Sequence, residues 1–369
     1  MKCNIICNFA IEKKLIKMRD INSQNIKRFN SLLSEASKIV ITTHMKPDGD
    51  ALGSSLAMHG FLKASGMGSK VVLPNTTPAN LNFLITEKNR EDMIIYEDTP
   101  SEAESAISGA DLIICLDFNA FHRTDRLEAP LSSSEASKVL IDHHLNPDRE
   151  KFDVSFSETQ VSSASELLYH ILMAMPQTEG NAARLPAESL NALMTGMTTD
   201  TNNFANSVFP STLQMASGLL AAGADRDMVL SNLYNMFSES RLRLLGHMMK
   251  DLLKITDDGV AYIVLDKETL QKYNVAEGDT EGFVNMPLSI KDVRMSILIK
   301  EDDGKARVSI RSKKGTSANR CAMKYFNGGG HENAAGGKLL IPKDIESIEK
   351  AGEYIETHTY RFFNDENEK

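Results

Sequence analysis

Two short stretches decide the fold: HMKPDGDALGSS, from His44 to Ser55, and IDHH, from Ile141 to His144. Each begins at the end of a short run of β-branched apolar residues, which is typical of a buried strand. Each then places carboxylates and imidazoles together at the end of that strand. Such a grouping predicts a site for two divalent cations, and a two-cation site indicates phosphoester hydrolysis.

The bulk composition limits the classes of function. A chain of 369 residues exceeds one ordinary core and predicts two domains. The formal net charge of -9 disfavours a long groove for duplex nucleic acid, whereas a short or mononucleotide ligand in a local basic pocket is compatible with it. The four cysteines contain no C-x-x-C pair, and no apolar run reaches the roughly 18 residues of a membrane helix. We therefore expect a cytoplasmic protein without a membrane partner.

Strands and helices alternate along the first part of the chain. Apolar runs predict strands that end at His44, Asp117 and His143, with helical patterns between them. This alternation predicts a mostly parallel, doubly wound α/β sheet with helices on both faces. The carboxyl ends of parallel strands meet at one edge of a sheet, where ligands collect. These three residues are therefore predicted to converge.

A second block of strands follows a helical stretch. GVAYIVL, VRMSILIKE and ARVSIRSK predict strands, with a hairpin at 302–304 between the last two. A short helix, the glycine loop NGGGHENAAGG and a final helix follow. The sequence leaves open whether Met1 or Met18 is the natural start. The predicted organisation is an N-terminal extension over 1–19, a catalytic domain over 20–224, a helical linker over 225–254 and a smaller α/β substrate-binding domain over 255–369.

The acidic residues of the first motif are candidate metal ligands. Alternate residues of an extended loop point in opposite directions, so Asp48 and Asp50 are expected to serve two separate cations. Asp117 follows the adjacent strand and is expected to bridge them. An isolated Asp-x-Asp loop is usually a solvated turn, but the joint pattern favours a metal site. Mixed imidazole and carboxylate ligation favours Mn²⁺, with Mg²⁺ as the alternative. The expected ligands are His44, Asp48, Asp50, Asp117, His143 and Asp200.

These motifs resemble those of the DHH phosphoesterase family. HMKPDGD is similar to the first family motif, LDFNAFHR to the second, IDHH to the third and TGMTTDTNNF to the fourth. VSIRSKKG and GGGHENAAGG resemble the associated DHHA1 domain. The resemblance covers about Asn25 to Ile341 and is closest to the stand-alone nano-RNase and phosphoadenosine-phosphate phosphatase subgroup.

The resemblance implies how the ligands are divided. One metal would be held by His44, Asp48 and Asp117. The other would be held by Asp50, Asp117, His143 and Asp200. His144 would face the substrate phosphate, which makes it a catalytic candidate together with Asp117. Asn202 stands where the family often has glycine, and asparagine tolerates the positive φ that such a turn needs.

The second block contains candidate substrate-binding residues. Its glycine run frees the backbone to approach a ligand, and the consecutive amides could form an anion nest. His331 follows this run, and Arg311 ends a strand with a planar guanidinium that suits phosphate. Arg123, six residues after Asp117, is a weaker candidate. The glycine run consists of Gly328, Gly329 and Gly330.

The predicted function is Mn²⁺-dependent hydrolysis of short oligoribonucleotides to mononucleotides, together with removal of a phosphate from 3′-phosphoadenosine 5′-phosphate. The first domain would hydrolyse, the second would grip the nucleotide, and the linker would let them close, which excludes long duplex. A close alternative is hydrolysis of cyclic di-AMP or linear di-adenylate. An alternative of another class is a non-catalytic nucleotide or RNA sensor. The sequence leaves a homodimer open.

Overall fold

The computed structural model describes residues 21–235, 237–276 and 278–367. The chain divides into two compact units, Met1–Met236 and Phe237–Lys369. This division falls inside the predicted linker, 225–254, and the predicted domain bounds stay predictions. The predicted extension, 1–19, and the alternative start at Met18 lie outside the described residues. Among the helices of the described residues, none combines the length and the apolar character that a bilayer crossing needs.

The first unit contains a six-stranded parallel sheet. Its strands are β1 (Ile39–Thr42), β2 (Ser69–Leu73), β3 (Met93–Ile95), β4 (Leu112–Leu116), β5 (Ser137–Asp142) and β6 (Val154–Ser157). Their order is β3-β2-β1-β4-β5-β6, and every neighbouring pair is parallel. The strands β2 and β3 lie on one side of β1, and the strands β4, β5 and β6 lie on its other side. The predicted doubly wound sheet is therefore confirmed, and its topological switch point lies at β1 and β4.

Helices cover both faces of this sheet. They are α1 (Ser23–Glu35), α2 (Gly49–Ala64), α3 (Glu87–Arg90), α4 (Pro100–Ser108), α5 (Glu128–Ser133), α6 (Ala164–Ala174), α7 (Ala187–Asp200), α8 (Pro210–Ala221) and α9 (Arg226–Tyr234). Ile39 and Ile41 of β1 join a core with α1, α2, α6 and α7, whereas Val40 joins a second core with α4 and α5. Because successive strand residues point to opposite faces, one short apolar run serves both cores.

Helices α2 and α7 approach each other closely at two glycines. A Cβ added at Gly53 would lie 2.5 Å from the Ala192 carbonyl oxygen. One added at Gly196 would lie 2.0 Å from Ser165 Oγ and 2.6 Å from Asp50 Oδ1. A side chain at either position would therefore separate the helices. The two glycines allow α2 and α7 to pack closely, so that Asp50 of α2 and Asp200 of α7 can approach each other.

The second unit contains a mixed six-stranded sheet. Its strands are β7 (Lys254–Ile255), β8 (Val260–Leu265), β9 (Met295–Asp302), β10 (Lys305–Ser312), β11 (Gly329–His331) and β12 (Ala334–Leu340). Their order is β11-β12-β10-β9-β8-β7, with β8 and β9 parallel and the other pairs antiparallel. The predicted hairpin joins β9 to β10. The helices are α10 (Glu239–His247), α11 (Lys267–Lys272), α12 (Ala318–Tyr325) and α13 (Ala351–Asn367). The predicted smaller α/β domain is confirmed.

The predicted glycine loop after α12 is wrong, because this stretch forms the β11–β12 hairpin. Its glycines serve backbone packing within the protein. A Cβ at Gly328 would lie 1.9 Å from the Gly336 carbonyl oxygen, and one at Gly337 would lie 2.2 Å from the Phe326 carbonyl oxygen. Local glycine preference indicates a loop, but these distant backbone contacts decide the structure.

Candidate metal centre

The carboxyl ends of β1, β4 and β5 bring His44, Asp117 and His143 together. Asp117 Oδ2 lies 3.4 Å from His44 Nε2, and Asp117 Oδ1 lies 3.4 Å from His143 Nε2. The carboxylate therefore presents one oxygen to each imidazole. Asp117 has a φ of 63°, a left-handed conformation that aspartate adopts more readily than most residues. Its N–H donates to the Ile141 carbonyl, which ties the turn to β5.

All six predicted ligands fall into two of the three groups of candidate ligands in this region, and the third group is Asp117, His143 and His144. In each group the candidate ligand atoms lie within 4.8 Å of one another. The first group is His44, Asp48 and Asp117. The second group is Asp50, His143 and Asp200. Because one Asp117 oxygen faces His44 and the other faces His143, Asp117 stands between the groups. The ligand role of each residue stays a prediction.

The reason predicted for the divergence of Asp48 and Asp50 is wrong. They do not lie on an extended loop, because α2 already begins at Gly49. Asp48 is the N-cap of α2, and its Oδ1 accepts hydrogen bonds from the N–H groups of Asp50 (3.0 Å) and Ala51 (3.1 Å). Asp50 lies in the first helical turn. The side chain of an N-cap residue and that of a first-turn residue point in different directions. The carboxylates of Asp48 and Asp50 therefore lie in separate groups.

A second helix terminus holds Asp50. Its Oδ2 accepts a hydrogen bond from Ala164 N at 2.6 Å, and its Oδ1 accepts one from Ser165 N at 2.9 Å. These are the first amides of α6, where backbone N–H groups and the helix dipole favour negative charge. Asp50 is fully buried. Its position is therefore fixed from α6 as well as from α2.

Asp200 is the last residue of α7, so it reaches the centre from a helix rather than from a strand. Its Oδ2 lies 3.4 Å from His143 Nε2. Asn202 has a φ of 46°, the positive value that the predicted turn requires. Asn203 and Phe204 also have positive φ, at 55° and 68°. The asparagine thus supports the left-handed turn that follows Asp200.

The carboxylates and imidazoles strongly perturb each other. Burial and the Asp117 charge raise the pKa of Asp50 to about 7, and burial with the Asp50 charge raises that of Asp200 well above its usual range. Burial lowers the pKa of His44 and His143, but the interactions with Asp117 outweigh it and raise the two values to about 9 and about 10. Burial opposes ionisation of Asp117, yet the two imidazoles hold its pKa well below its usual range.

The donor set fits a divalent cation. Asp117 Oδ1 is buried and accepts no hydrogen bond from the part of the chain that the structure describes, so it retains a lone pair for a cation. Protons on the imidazoles partly compensate the clustered negative charge, and a cation would replace them. Cys115 and Cys321, the two cysteines within the described residues, are buried outside these groups. Nitrogen and oxygen donors without thiolate suit Mn²⁺ or a similar ion.

Sequence reasoning missed the role of Asp142. This residue ends β5 and is fully buried. Its Oδ1 lies 2.7 Å from His144 Nδ1, and its Oδ2 accepts the His144 N–H at 3.1 Å. A carboxylate at Nδ1 favours the tautomer that carries the proton there and fixes the orientation of the ring. A carboxylate two residues before an imidazole at a strand end is the signal that could have identified this pair.

The predicted substrate-binding residues lie in both units. The Arg123 carbonyl accepts the Met45 N–H at 2.7 Å, so its segment lies beside the loop that follows His44. Arg311 is half-buried, and its Nη1 donates to the Ile310 carbonyl at 2.9 Å. Burial lowers the pKa of Arg311. No acidic side chain pairs with this guanidinium among the residues that the structure describes.

The hairpin register places Arg311 and His331 in one row. Arg311 of β10 pairs with Ala334 of β12, and Ala334 pairs with His331 of β11. Directly paired residues project from the same face of a sheet, so only a small side chain stands between the two. This arrangement supports the prediction that Arg311 and His331 contact the same substrate.

The predicted anion nest is contradicted at two of the three glycines. Gly328 N donates to the Ala322 carbonyl at 3.2 Å, and Gly330 N donates to Asn319 Oδ1 at 2.8 Å. These amides already have protein acceptors, so the glycine run does not present a row of free donors. Gly329 pairs with Gly336 across the hairpin. Contact between this segment and substrate stays a prediction.

Comparison with known proteins identifies the class. The DHH family, N-terminal domain, matches residues 38–197, and the DHHA1 domain matches residues 245–356. The chain therefore belongs to the DHH phosphoesterase family and carries a DHHA1 domain.

Three relatives indicate how this family member compares. The chain is 26% identical over 313 residues to the bifunctional oligoribonuclease and PAP phosphatase NrnA of Bacillus subtilis (strain 168), covering 84% of this chain and 92% of that protein. It is 36% identical to an exopolyphosphatase-related protein from Bacteroides fragilis of known crystal structure, with a TM-score of 0.86 and coverage of 92% and 97%. It is 25% identical over 346 residues to the cyclic-di-AMP phosphodiesterase GdpP of Bacillus subtilis (strain 168), covering 89% of this chain and 49% of that protein.

Proposed function

We propose that this chain is a metal-dependent phosphohydrolase that degrades short oligoribonucleotides to mononucleotides and dephosphorylates 3′-phosphoadenosine 5′-phosphate. The observation that carries the proposal is the position of Asp117, whose two oxygens face the imidazoles of two separate ligand groups. A shared carboxylate suits a pair of cations that act on one phosphoryl group. Similarity to an oligoribonuclease and PAP phosphatase over most of both chains supports this substrate class.

In the proposed mechanism the chain's own residues hold the cations and orient the substrate. The first cation would be held by His44, Asp48 and Asp117. The second would be held by Asp50, Asp117, His143 and Asp200. Bound Mn²⁺, or Mg²⁺ as the alternative, supplies charge stabilisation at phosphoryl oxygens and activation of water. His144, whose Nδ1 lies 2.7 Å from Asp142 Oδ1, is proposed to contact the substrate phosphate.

The remaining contacts select the substrate. Arg311 and His331 of the second unit are proposed to bind a nucleotide phosphate or base, and Arg123 is proposed to act beside the metal centre. A half-buried guanidinium that pairs with no acidic side chain of the described residues has donors and charge available for an anion. Short oligoribonucleotides and small nucleotides are therefore the proposed ligands, rather than long duplex.

A second candidate function is hydrolysis of cyclic di-AMP or linear di-adenylate, which the similarity to a cyclic-di-AMP phosphodiesterase favours. The chain spans about half of that longer protein. A non-catalytic nucleotide or RNA sensor is less favoured, because a sensor does not need the whole set of six candidate ligands.

One assay tests the proposal. Purified protein with Mn²⁺ is incubated in parallel with a short RNA, 3′-phosphoadenosine 5′-phosphate, linear di-adenylate, cyclic di-AMP and pyrophosphate, and the products are separated. We expect turnover of the first two substrates. Exclusive turnover of cyclic di-AMP would select the second candidate, and binding without product would select the sensor. Hydrolysis of pyrophosphate alone would contradict all three.

A further inference from the structure

Three cationic residues form a row across the sheet of the second unit. The register pairs Lys300 of β9 with Arg307 of β10, and it pairs Arg307 with Lys338 of β12. Directly paired residues project from the same face, so three positive side chains stand next to each other. Like charges that face each other across strands destabilise a sheet. The row therefore carries an electrostatic cost that a bound anion would relieve.

The protein supplies little compensating charge. Asp302 Oδ2 lies 2.7 Å from Arg307 Nε and 3.6 Å from Lys305 Nζ. Of the four cationic side chains at this end of β9, β10 and β12, two therefore pair with Asp302, and Lys300 and Lys338 have no ion pair within the described residues.

This face of the sheet is accessible on β10 and β12 beside the row, whereas on β9 Lys300 is half-buried and Leu298, which pairs with Ser309, is buried. Arg307, Gly336 and Lys338 are exposed, whereas Val308 and Ile310 point to the opposite face and are buried against α12 and α13. On the accessible face, Ser309 pairs with Gly336 between the row and Arg311. The small residues Ser309 and Gly336 thus lie between Arg311 and the cationic row. They leave room for a polyanion to lie against β10 and β12.

We propose that the row Lys300–Arg307–Lys338 binds a backbone phosphate of an oligoribonucleotide, at a position separate from the contact at Arg311. The proposal rests on the proposed function and names a determinant of substrate length. Arg307 and Arg311 are four residues apart on β10, roughly 13 Å along a strand. A single nucleotide bound at Arg311 does not reach the row, whereas a longer chain does. The row therefore increases affinity for oligonucleotides and leaves 3′-phosphoadenosine 5′-phosphate unaffected.

The test is the double variant Lys300→Gln/Lys338→Gln, which keeps the Arg307–Asp302 pair. Steady-state kinetics are measured on a pentanucleotide and on 3′-phosphoadenosine 5′-phosphate at several salt concentrations. We expect KM for the pentanucleotide to rise several-fold and the slope of its logarithm against log salt to fall by about 0.7, because the row binds one phosphate of a single strand. KM for 3′-phosphoadenosine 5′-phosphate is expected to stay unchanged.

A control variant and a measurement of thermal stability accompany the kinetics of the double variant. Lys350→Gln removes one positive charge beside α13, where Lys350 Nζ pairs with Glu353 at 3.0 Å, and it should leave both substrates unaffected. The double variant should melt no lower than the wild type, because repulsion is removed. Unchanged pentanucleotide kinetics, or an equal loss on both substrates, would overturn the proposal.

Failure of the proposed function is distinguishable from failure of the row. Should the wild type hydrolyse neither substrate, the proposed function fails. Binding of a fluorescent pentanucleotide, followed by anisotropy without added metal, then tests the row alone. Weaker binding by the double variant than by Lys350→Gln supports the row, and equal binding overturns it.

Discussion

Replacing Asp117 by asparagine tests the metal centre sharply, because the amide keeps the shape of the carboxylate and removes its charge. In the wild type, the Asp117 oxygens each lie 3.4 Å from an Nε2 atom, one of His44 and the other of His143. Burial lowers the pKa of His44, but Asp117 more than compensates and raises it to about 9. In Asp117→Asn this compensation is lost, and we expect the pKa of His44 to fall to 6.5 or below.

The size of this change follows from the pKa values. A fall from about 9 to 6.5 corresponds to about 3 kcal/mol of interaction, at about 1.4 kcal/mol for each pKa unit. NMR titration of the imidazole signals in the metal-free protein measures it. Loss of a residue that merely orients a ligand costs about 10–100-fold in metal affinity or activity. Because Asp117 is expected to serve both cations, we expect turnover to fall at least about 100-fold.

The matched control is Asp98→Asn, at an exposed carboxylate in the same unit. It should keep the imidazole pKa values and the turnover of the wild type. A pKa of His44 that stays near 9 in Asp117→Asn would refute the electrostatic explanation, and full turnover by this variant would refute the shared-ligand mechanism.

Four further predictions concern the first unit. Cation binding needs His44 and His143 without their protons, so Mn²⁺ affinity should rise with pH up to about 9 and about 10, and calorimetry in different buffers should detect the released protons. For the same reason the metal-free protein should lose stability as the pH rises from 6.5 through these values, which thermal melting in EDTA measures. Asp142→Asn should lower kcat by roughly 10- to 100-fold through misorientation of His144, with Mn²⁺ affinity nearly unchanged; an unaltered kcat would contradict that role. Gly196→Ala should destabilise the first unit by about 1–3 kcal/mol in urea unfolding, because its Cβ would meet Ser165 Oγ of α6 at 2.0 Å and Asp50 Oδ1 of α2 at 2.6 Å; wild-type stability would show that α7 can move away from α2 and α6 freely.

The sequence predicts much of the first sheet for a physical reason. Strands buried on both faces are continuous apolar runs, and in such runs the change to polar residues marks the strand end. That change placed His44, Asp117 and His143 at one edge. The strand β3 has three residues, and the edge strand β6 alternates apolar and polar residues, so neither produces a long continuous apolar run.

The remaining features depend on contacts between distant parts of the chain. The pairing of Asp50 with the first amides of α6 joins residues 114 and 115 positions apart. The β11–β12 hairpin depends on the close approach of Gly328 to Gly336 and of Gly337 to Phe326, which glycine content alone does not indicate. The role of Asp142 depends on the orientation of one imidazole. Local patterns therefore identify candidate residues, whereas long-range packing decides how they are held.

Anomalous diffraction from crystals grown with Mn²⁺ tests the central claim most directly. We predict two peaks per chain on either side of the Asp117 carboxylate, roughly 3.5–4 Å apart as in other two-cation sites. One ligand group should surround each peak. A single peak, or two peaks that do not flank Asp117, would contradict the shared centre.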